Sequence, residues 1–186
     1  MRITGGVLRG RRVETPPGTI RPAMDRMRES VFAALGDISA RSFLDLFAGS
    51  GIVALEAASR GASPVEAVEA DGLKRGTLLK NAAIAPVRIN CRFMAAELYI
   101  RRAKRSFDYI FCDPPFPYRF RHELAVSIAV SALMNEDSLL MTHRPREDVP
   151  RGGGCLVLAD RREYGRSVVD FWHIEERAVK QKDALG

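Results

Sequence analysis

The chain has 186 residues, of which 46% are hydrophobic, and this is enough apolar material for one packed core. The formal net charge is +6, and arginine supplies 24 of the 29 basic residues, a balance that suits an anionic partner such as nucleic acid or serves solubility alone. The cysteines and histidines lack metal-ligand or disulfide spacing, so we expect neither a metal site nor disulfides. No apolar run approaches ~18 residues and no signal peptide opens the chain, so we expect a cytoplasmic protein without membrane spans.

Residues 1–36 predict a basic extension made of a small hairpin and a helix. Glycines at 5, 6 and 10 interrupt short alternating segments, which is typical of a hairpin. Apolar residues then recur at helical spacing from Met24 to Leu35, and Gly36 ends the helix. The arginines of the extension are candidate contacts to RNA phosphates, with a solvated surface as the plainer alternative. They are Arg2, Arg9, Arg11, Arg12, Arg21, Arg26 and Arg28.

From residue 42 to residue 174 the chain alternates strands and helices, which predicts βαβ units and a largely parallel sheet. The predicted strands are 42–47, 65–69, 87–93, 107–112 and 138–142, and the predicted helices are 52–60, 71–83, a short one to about 102, and 122–133. Segments 155–162 and 167–174 flank a turn at Gly165 and predict an antiparallel hairpin that ends the sheet. We expect a single domain over 1–186, a frayed tail over 175–186, and a monomer.

A glycine loop connects the first predicted strand of the core to its first helix. It reads Asp45-Leu46-Phe47-Ala48-Gly49-Ser50-Gly51. Two glycines one residue apart let the backbone approach a ligand closely, and the helix start offers free N–H groups. Glu69 ends the second strand twenty residues after Gly49, where a carboxylate can bind ribose hydroxyls. Because ligands bind at the carboxyl ends of strands in such sheets, the sequence predicts a nucleotide-type cofactor here.

The identity of that cofactor has two possible answers. Gly49-x-Gly51-x-x-Ala54 with Glu69 also fits the dinucleotide fingerprint, which keeps an NAD- or FAD-dependent oxidoreductase open. S-adenosylmethionine is favoured because the Asp45 carboxylate suits a sulfonium and is unfavourable beside a pyrophosphate. It is also favoured because the loop after the fourth strand can hold an amine, and an enzyme that transfers hydride does not need such a loop.

That second loop is Asp113-Pro114-Pro115-Phe116. Two consecutive prolines stiffen the backbone, and the residue before a proline stays extended. The Asp113 carboxylate and the Pro114 carbonyl are then available to accept two hydrogen bonds from a planar amine while Phe116 stacks on the base. If the strands are ordered 3-2-1-4-5, this loop and the glycine loop leave neighbouring strands, and we expect them to face one cleft.

Residues 45–51, Glu69 and residues 113–116 together resemble the seven-stranded, Rossmann-like class I methyltransferases that modify exocyclic amines. The leader Arg2-Ile3-Thr4-Gly5-Gly6, with Arg9-Gly10-Arg11 and the stretch from Arg21 to Glu29, is similar to that of the RsmD-type family. These are bacterial 16S ribosomal RNA guanine-N2 methyltransferases. The resemblance covers about residues 1–174, and the leader makes it specific, since many DNA and RNA enzymes share the two loops.

The resemblance implies transfer of a methyl group from S-adenosyl-L-methionine to N2 of a guanine in the 16S ribosomal RNA of the small subunit, without a metal. The implied catalytic residues are Asp113, Pro114, Pro115 and Phe116. The implied cofactor-binding residues are Asp45, Phe47, Ala48, Gly49, Ser50, Gly51, Glu69, Ala70, Met94, Ala95 and Asp113. Met94 stands where such enzymes commonly carry an acid for the adenine amine, so backbone groups and apolar packing are expected to hold adenine. The family usually has threonine where Ala23 stands, and residues 143–154 match no family motif.

Several rival functions share parts of this pattern. An adenine-N6 methyltransferase of DNA or of another RNA, or a DNA cytosine methyltransferase, fits the Asp113–Phe116 loop. Against the DNA enzymes, the chain has no stretch long enough for a separate target-reading region. The basic charge disfavours a protein-glutamine or small-amine substrate. A catalytically silent RNA-binding assembly factor is the rival from another class, and the intact loops argue against it. Binding of S-adenosylmethionine separates the methyltransferases from the oxidoreductase.

Overall fold

A computed structural model describes residues 1–15, 23–148 and 154–175. The strands are β1 (Phe43–Leu46), β2 (Val65–Val68), β3 (Ile89–Arg92), β4 (Tyr109–Cys112), β5 (Leu139–Pro145), β6 (Leu156–Tyr164) and β7 (Ser167–Ile174). They form a seven-stranded sheet in the order β3-β2-β1-β4-β5-β7-β6. The pairs β1–β2, β2–β3 and β4–β5 are parallel, whereas β7 pairs antiparallel with both β5 and β6. The predicted Rossmann-like sheet, its 3-2-1-4-5 order and its antiparallel ending are confirmed.

The helices are α1 (Ala23–Leu35), α2 (Ile52–Ser59), α3 (Arg75–Ala82), α4 (Ala96–Arg101) and α5 (Arg121–Val130). Each matches a predicted helix. Asp71 caps a one-turn 3-10 helix over Gly72–Lys74 through its side chain, and α3 itself begins at Arg75. Over residues 1–15, 23–148 and 154–175, every helix is too short or too polar to cross a lipid bilayer. The same residues include no cluster of three or more His, Cys, Asp and Glu side chains able to hold a metal.

Residues 1–96 form one of two compact units. All residues of β1 and β2 are buried, and so are all eight residues of α2. Helix α2 has small and aliphatic side chains on every face, which is typical of a helix packed on all sides. The leader before Thr15 forms the predicted antiparallel turn, with a bridge between Arg2 and Arg12 and a hydrogen bond from the Ile3 amide to the Arg11 carbonyl.

Residues 97–186 form the other unit. Most residues of β4, β5 and β7 are buried, and so are four residues of α5, whereas most of β6 is exposed. Strand β5 runs to Pro145, three residues beyond its predicted end, because antiparallel pairing with β7 continues from Leu140 to Pro145. Arg21 and residues 176–186, which were predicted as an RNA contact and a frayed tail, lie outside the described residues. The prediction of a single domain stays a prediction.

Candidate functional site

The glycine loop between β1 and α2 has an unusual backbone. Phe47, Gly49 and Gly51 all have positive φ, at 65°, 57° and 76°. The Ala48 amide donates to the Val68 carbonyl at 2.9 Å, which ties the loop to the end of β2. Left-handed residues alternating along a short loop turn successive N–H groups toward one side, which is the geometry of an anion- or ligand-binding loop.

The two glycines of this loop are required for different reasons. A Cβ added at Gly49 meets no atom nearer than the Phe47 carbonyl oxygen, at 4.0 Å. A Cβ added at Gly51 lies 2.4 Å from Cδ1 of Leu78 on α3. Gly49 therefore leaves open space where a ligand can approach the backbone, whereas Gly51 lets α3 pack against the loop.

Glu69 holds this loop in shape. It is 6% exposed, and its Oε2 accepts the Gly49 amide hydrogen at 2.7 Å while its Oε1 accepts the Asp71 amide hydrogen at 2.8 Å. Lys74 lies 3.8 Å from Oε2. Each carboxylate oxygen has two lone pairs, so both can accept a further hydrogen bond from a hydroxyl. Glu69 thus joins β2 to the glycine loop, in addition to its predicted role toward ribose.

Asp45 lies beneath the loop. It is 1% exposed, and its Oδ2 accepts the Ala54 amide hydrogen at 3.0 Å in the first turn of α2. A buried carboxylate at a helix start satisfies a free N–H group and complements the helix dipole. Asp45 therefore anchors the start of α2, where the glycine loop ends.

The remaining predicted cofactor residues of this unit follow β2 and β3. Ala70 and Ala95 are exposed and Met94 is half-buried. Because β2 and β3 are parallel, their carboxyl ends meet at one edge, and the Glu69 amide donates to the Arg92 carbonyl at 3.0 Å. The parallel pairing therefore brings Met94 and Ala95 to the same sheet edge as Glu69.

In the second unit, Asp113 begins the loop that follows β4. Its side chain is 22% exposed. Pro114 is buried, Pro115 is exposed and Phe116 is half-buried. Asp113 Oδ1 makes a hydrogen bond to His143, while neither Asp113 Oδ2 nor the Pro114 carbonyl has a partner among the described residues. These two acceptors are the ones that the sequence assigned to an amine.

Arg121 fixes this loop, and sequence reasoning missed it. Its guanidinium donates to the carbonyls of Pro115, Phe116 and Tyr118 at 2.8, 2.6 and 2.6 Å. It also pairs with Asp148 at 3.1 Å. An arginine presents five N–H donors in a planar fork, so one side chain can hold three carbonyls of the same loop. An arginine six residues after Pro115 gives no sequence signal, because this role depends on how the loop turns.

Tyr118 is anchored in the same unit. Its hydroxyl donates to Oε1 of Glu97 at 2.6 Å, and its ring meets Phe120 edge-on at 6.4 Å. Burial, with the neighbouring Glu97 carboxylate, raises the pKa of the Tyr118 phenol above its ordinary value. The phenol therefore stays a donor at neutral pH.

His143 was given no chemistry from the sequence, yet it contacts two predicted site residues. Its Nδ1 lies 2.7 Å from Asp113 Oδ1. Its ring centroid lies 5.8 Å from that of Phe116, with the planes tilted by 57°. The separation of thirty positions between Asp113 and His143 hid this contact, which the parallel pairing of β4 with β5 creates.

The leader is docked on the C-terminal end of α2. The Val7 amide donates to the Ser59 carbonyl, and the Leu8 amide donates to the Ser59 hydroxyl. The Ser59 hydroxyl in turn donates to the Gly5 carbonyl at 2.7 Å. The Thr4 amide donates to Oε1 of Glu56 at 2.6 Å. The leader is therefore a folded element. The predicted RNA contacts that are exposed on it are Arg2, Arg9, Arg11 and Arg12, and Arg26 is exposed on α1.

The RNA-contact prediction for Arg28 is wrong. Arg28 is 1% exposed and its guanidinium pairs with Glu56, with Asp25 and with the Arg2 carbonyl. Arg60 approaches the other oxygen of Glu56 at 3.5 Å. Helical spacing placed Arg28 on a polar face, but the leader covers that face and makes the arginine part of a buried ion network.

Comparisons with known proteins agree on one group. The family model described as conserved hypothetical protein 95 matches residues 1–173. YlbH of Bacillus subtilis is 30% identical over 92% of this chain and 98% of its own length. Ribosomal RNA small subunit methyltransferase D of Escherichia coli is 36% identical over 62% of this chain and 60% of its own length. The solved structure of yhhF from Escherichia coli superposes with a TM-score of 0.82 at 28% identity, over 94% of this chain and 98% of that one.

Proposed function

We propose a function from the following premise: the chain belongs to the family described as conserved hypothetical protein 95 and is an RsmD-type class I methyltransferase. In this proposal it methylates 16S ribosomal RNA in the cytoplasm. The methyl donor is S-adenosylmethionine and the acceptor is the exocyclic N2 of a guanine. The names of the Escherichia coli and Haemophilus influenzae relatives, both ribosomal RNA small subunit methyltransferase D, support the choice of substrate.

The observation that carries this proposal is the state of the Asp113–Phe116 loop. Asp113 Oδ2 and the Pro114 carbonyl are acceptors without partners among the described residues, on a loop that Arg121 fixes. Two fixed acceptors side by side match the two N–H groups of an exocyclic amine. They orient its nitrogen lone pair, which is otherwise delocalised into the base, and orientation supplies a large share of catalysis with an activated donor.

The glycine loop fits the cofactor. The open space beside Gly49 suits close approach of a nucleoside, and the lone pairs left on Glu69 suit ribose hydroxyls. Met94 and Ala95 offer apolar packing to adenine, and the buried Asp45 favours a cation above the loop. S-adenosylmethionine, when bound, supplies a methyl group already activated on a sulfonium. The nitrogen that gains this methyl loses one proton, which Asp113 accepts and passes to solvent.

Transfer of a labelled methyl group tests the proposal. Small ribosomal subunits from cells lacking the gene are incubated with the purified protein and methyl-labelled S-adenosylmethionine, and the ribosomal RNA nucleosides are mapped by mass. We expect label in N2-methylguanosine and none with Asp113→Ala, although that variant should still bind the cofactor through the glycine loop and Glu69. Label in DNA or in another base would replace the proposed substrate, and no label on any nucleic acid would favour an assembly factor.

A further inference from the structure

We infer that His143 is a positioning residue for this methyl transfer: it holds the Asp113 carboxylate so that Oδ2 is presented to the amine. The inference rests on the proposed function and adds a residue to it. His143 lies on β5, outside the Asp113–Phe116 loop and outside every motif found in the sequence.

The hydrogen bond between the two side chains has one assignable direction. Asp113 Oδ1 and His143 Nδ1 are 2.7 Å apart. An ionised carboxylate can only accept, so the hydrogen lies on Nδ1 and the imidazole donates. This bond occupies Oδ1 and fixes the rotation of the carboxylate. Oδ2 is the oxygen that remains for the substrate.

The burial of His143 makes the contact rigid. The residue is 5% exposed, and β5 pairs with β4 so that Thr142 stands opposite Cys112. The next residues, His143 and Asp113, therefore leave neighbouring strands side by side. The imidazole also lies against the Phe116 ring. One side chain thus supports both the acceptor and the aromatic ring that the proposed reaction uses.

The other ring nitrogen excludes a proton relay. His143 Nε2 is buried and has no hydrogen-bond partner among the described residues. A proton that entered the ring at Nδ1 would have no route out through Nε2. In the proposed reaction the N2–C bond forms as the S–C bond of the methyl donor breaks, and the electron pair of that bond stays on the sulfur. N2 loses one proton, Asp113 Oδ2 takes that proton, and the 22% exposed carboxylate returns it to solvent. The imidazole neither gains nor loses a proton in this cycle.

Three substitutions separate positioning from general support of the fold. Asn carries its amide nitrogen on the same carbon as Nδ1 of His, so His143→Asn keeps a donor to Asp113. Gln places its amide one bond further, near Nε2, and Leu has no donor. We expect His143→Gln and His143→Leu to lower kcat by ~10-fold or more, as loss of a hydrogen bond to a charged group predicts. We expect His143→Asn to stay within ~3-fold of the native enzyme on the same scale.

The measurements are kcat and KM for small ribosomal subunits, the Kd of S-adenosylmethionine, and the Tm of each variant. The exposed histidine of β7 gives a control, His173→Leu, which should leave kcat, KM and Kd unchanged, while its Tm reports the loss of a hydrogen bond to the Ser138 carbonyl. A fall in kcat with unchanged KM and Kd, restored by Asn, supports positioning. Native kcat in the Gln and Leu variants, or an equal fall in all three that follows Tm, overturns it.

Asp113→Ala separates the failure of this inference from the failure of the proposed function. If Asp113→Ala is inactive and the His143 variants are fully active, only the role of His143 is lost. If Asp113→Ala is itself fully active, the proposed role of the loop is lost and His143 has no acceptor to position. In the double variant Asp113→Ala/His143→Leu, we expect no loss beyond that of Asp113→Ala, because the two residues act as one unit.

Discussion

Glu69 and Gly49 are joined by a hydrogen bond of 2.7 Å, in which the glycine amide donates to the carboxylate. Since the same carboxylate also accepts the Asp71 amide hydrogen, we expect Glu69→Ala to loosen the glycine loop as well as to remove a partner of ribose. The Kd of S-adenosylmethionine, measured by calorimetry, should rise by ~10- to 100-fold, as expected for loss of one charge-assisted hydrogen bond to ribose. The exposed acid Glu136 gives the control, and Glu136→Ala should bind normally. Native affinity in Glu69→Ala would remove the residue from the cofactor site.

Alanine at Gly49 and at Gly51 should have different consequences. Both positions have positive φ, which costs alanine ~1–2 kcal/mol. Only Gly51→Ala also drives a Cβ into Leu78, and overpacking adds ~1–3 kcal/mol. Denaturant unfolding should show the larger loss of stability in Gly51→Ala, and calorimetry should show weaker cofactor binding in Gly49→Ala. Leu78→Ala should cost less stability in the Gly51→Ala background than in the native protein, because it relieves the clash there. Equal stability of the two single variants would contradict this reasoning.

Arg121→Met should lower kcat by removing the donor that fixes three loop carbonyls. We expect a fall of ~10- to 100-fold, because misplacement of a reactant by about 1 Å has effects of that size. The affinity for S-adenosylmethionine should not change. Arg119→Met alters an exposed arginine two residues away and should keep the native rate. Equal rates for the two variants would show that the loop holds its shape without Arg121.

Glu56→Ala should destabilise the fold by ~3–5 kcal/mol, because the buried Arg28 then loses its buried carboxylate partner and keeps only the half-exposed Asp25. The leader also loses the acceptor of the Thr4 amide, so its amides should exchange hydrogen faster. Denaturant unfolding and hydrogen exchange measure the two effects. Glu29→Ala, at an exposed position of α1, should change neither.

The exposed leader arginines should set the salt dependence of RNA binding. Each phosphate contact adds about 0.7–0.9 to the slope of log affinity against log salt. Replacing Arg9, Arg11 and Arg12 by Gln should therefore reduce the slope for small-subunit RNA by about 2–3. The control is Arg166→Gln, at an exposed position in the turn between β6 and β7, and its slope should stay native. An unchanged slope in the triple variant would make the leader a docked but non-binding element.

Local pattern was enough to predict the elements and the two loops. Strand β7 was predicted over the same residues that form it, and the ends of α1 and α2 were predicted to within one residue. These predictions succeeded because apolar periodicity and helix-ending glycines are local features of the sequence. The glycine loop and the Asp113–Phe116 loop were found for the same reason, since prolines and glycines restrict the backbone where they stand. That the two loops face one cleft stays a prediction.

What the sequence could not reveal depends on contacts between residues far apart in the chain. Arg28 reads as a surface charge until the leader covers it, and Arg121 reads as an ordinary first-turn residue until the loop bends back on it. His143 is thirty positions from Asp113, and only the register of β4 against β5 brings the two side chains together. The sequence by itself thus determined which groups are predicted to carry the chemistry. The tertiary structure decided which groups hold them in place, because hydrogen-bond partners are chosen by distance in space.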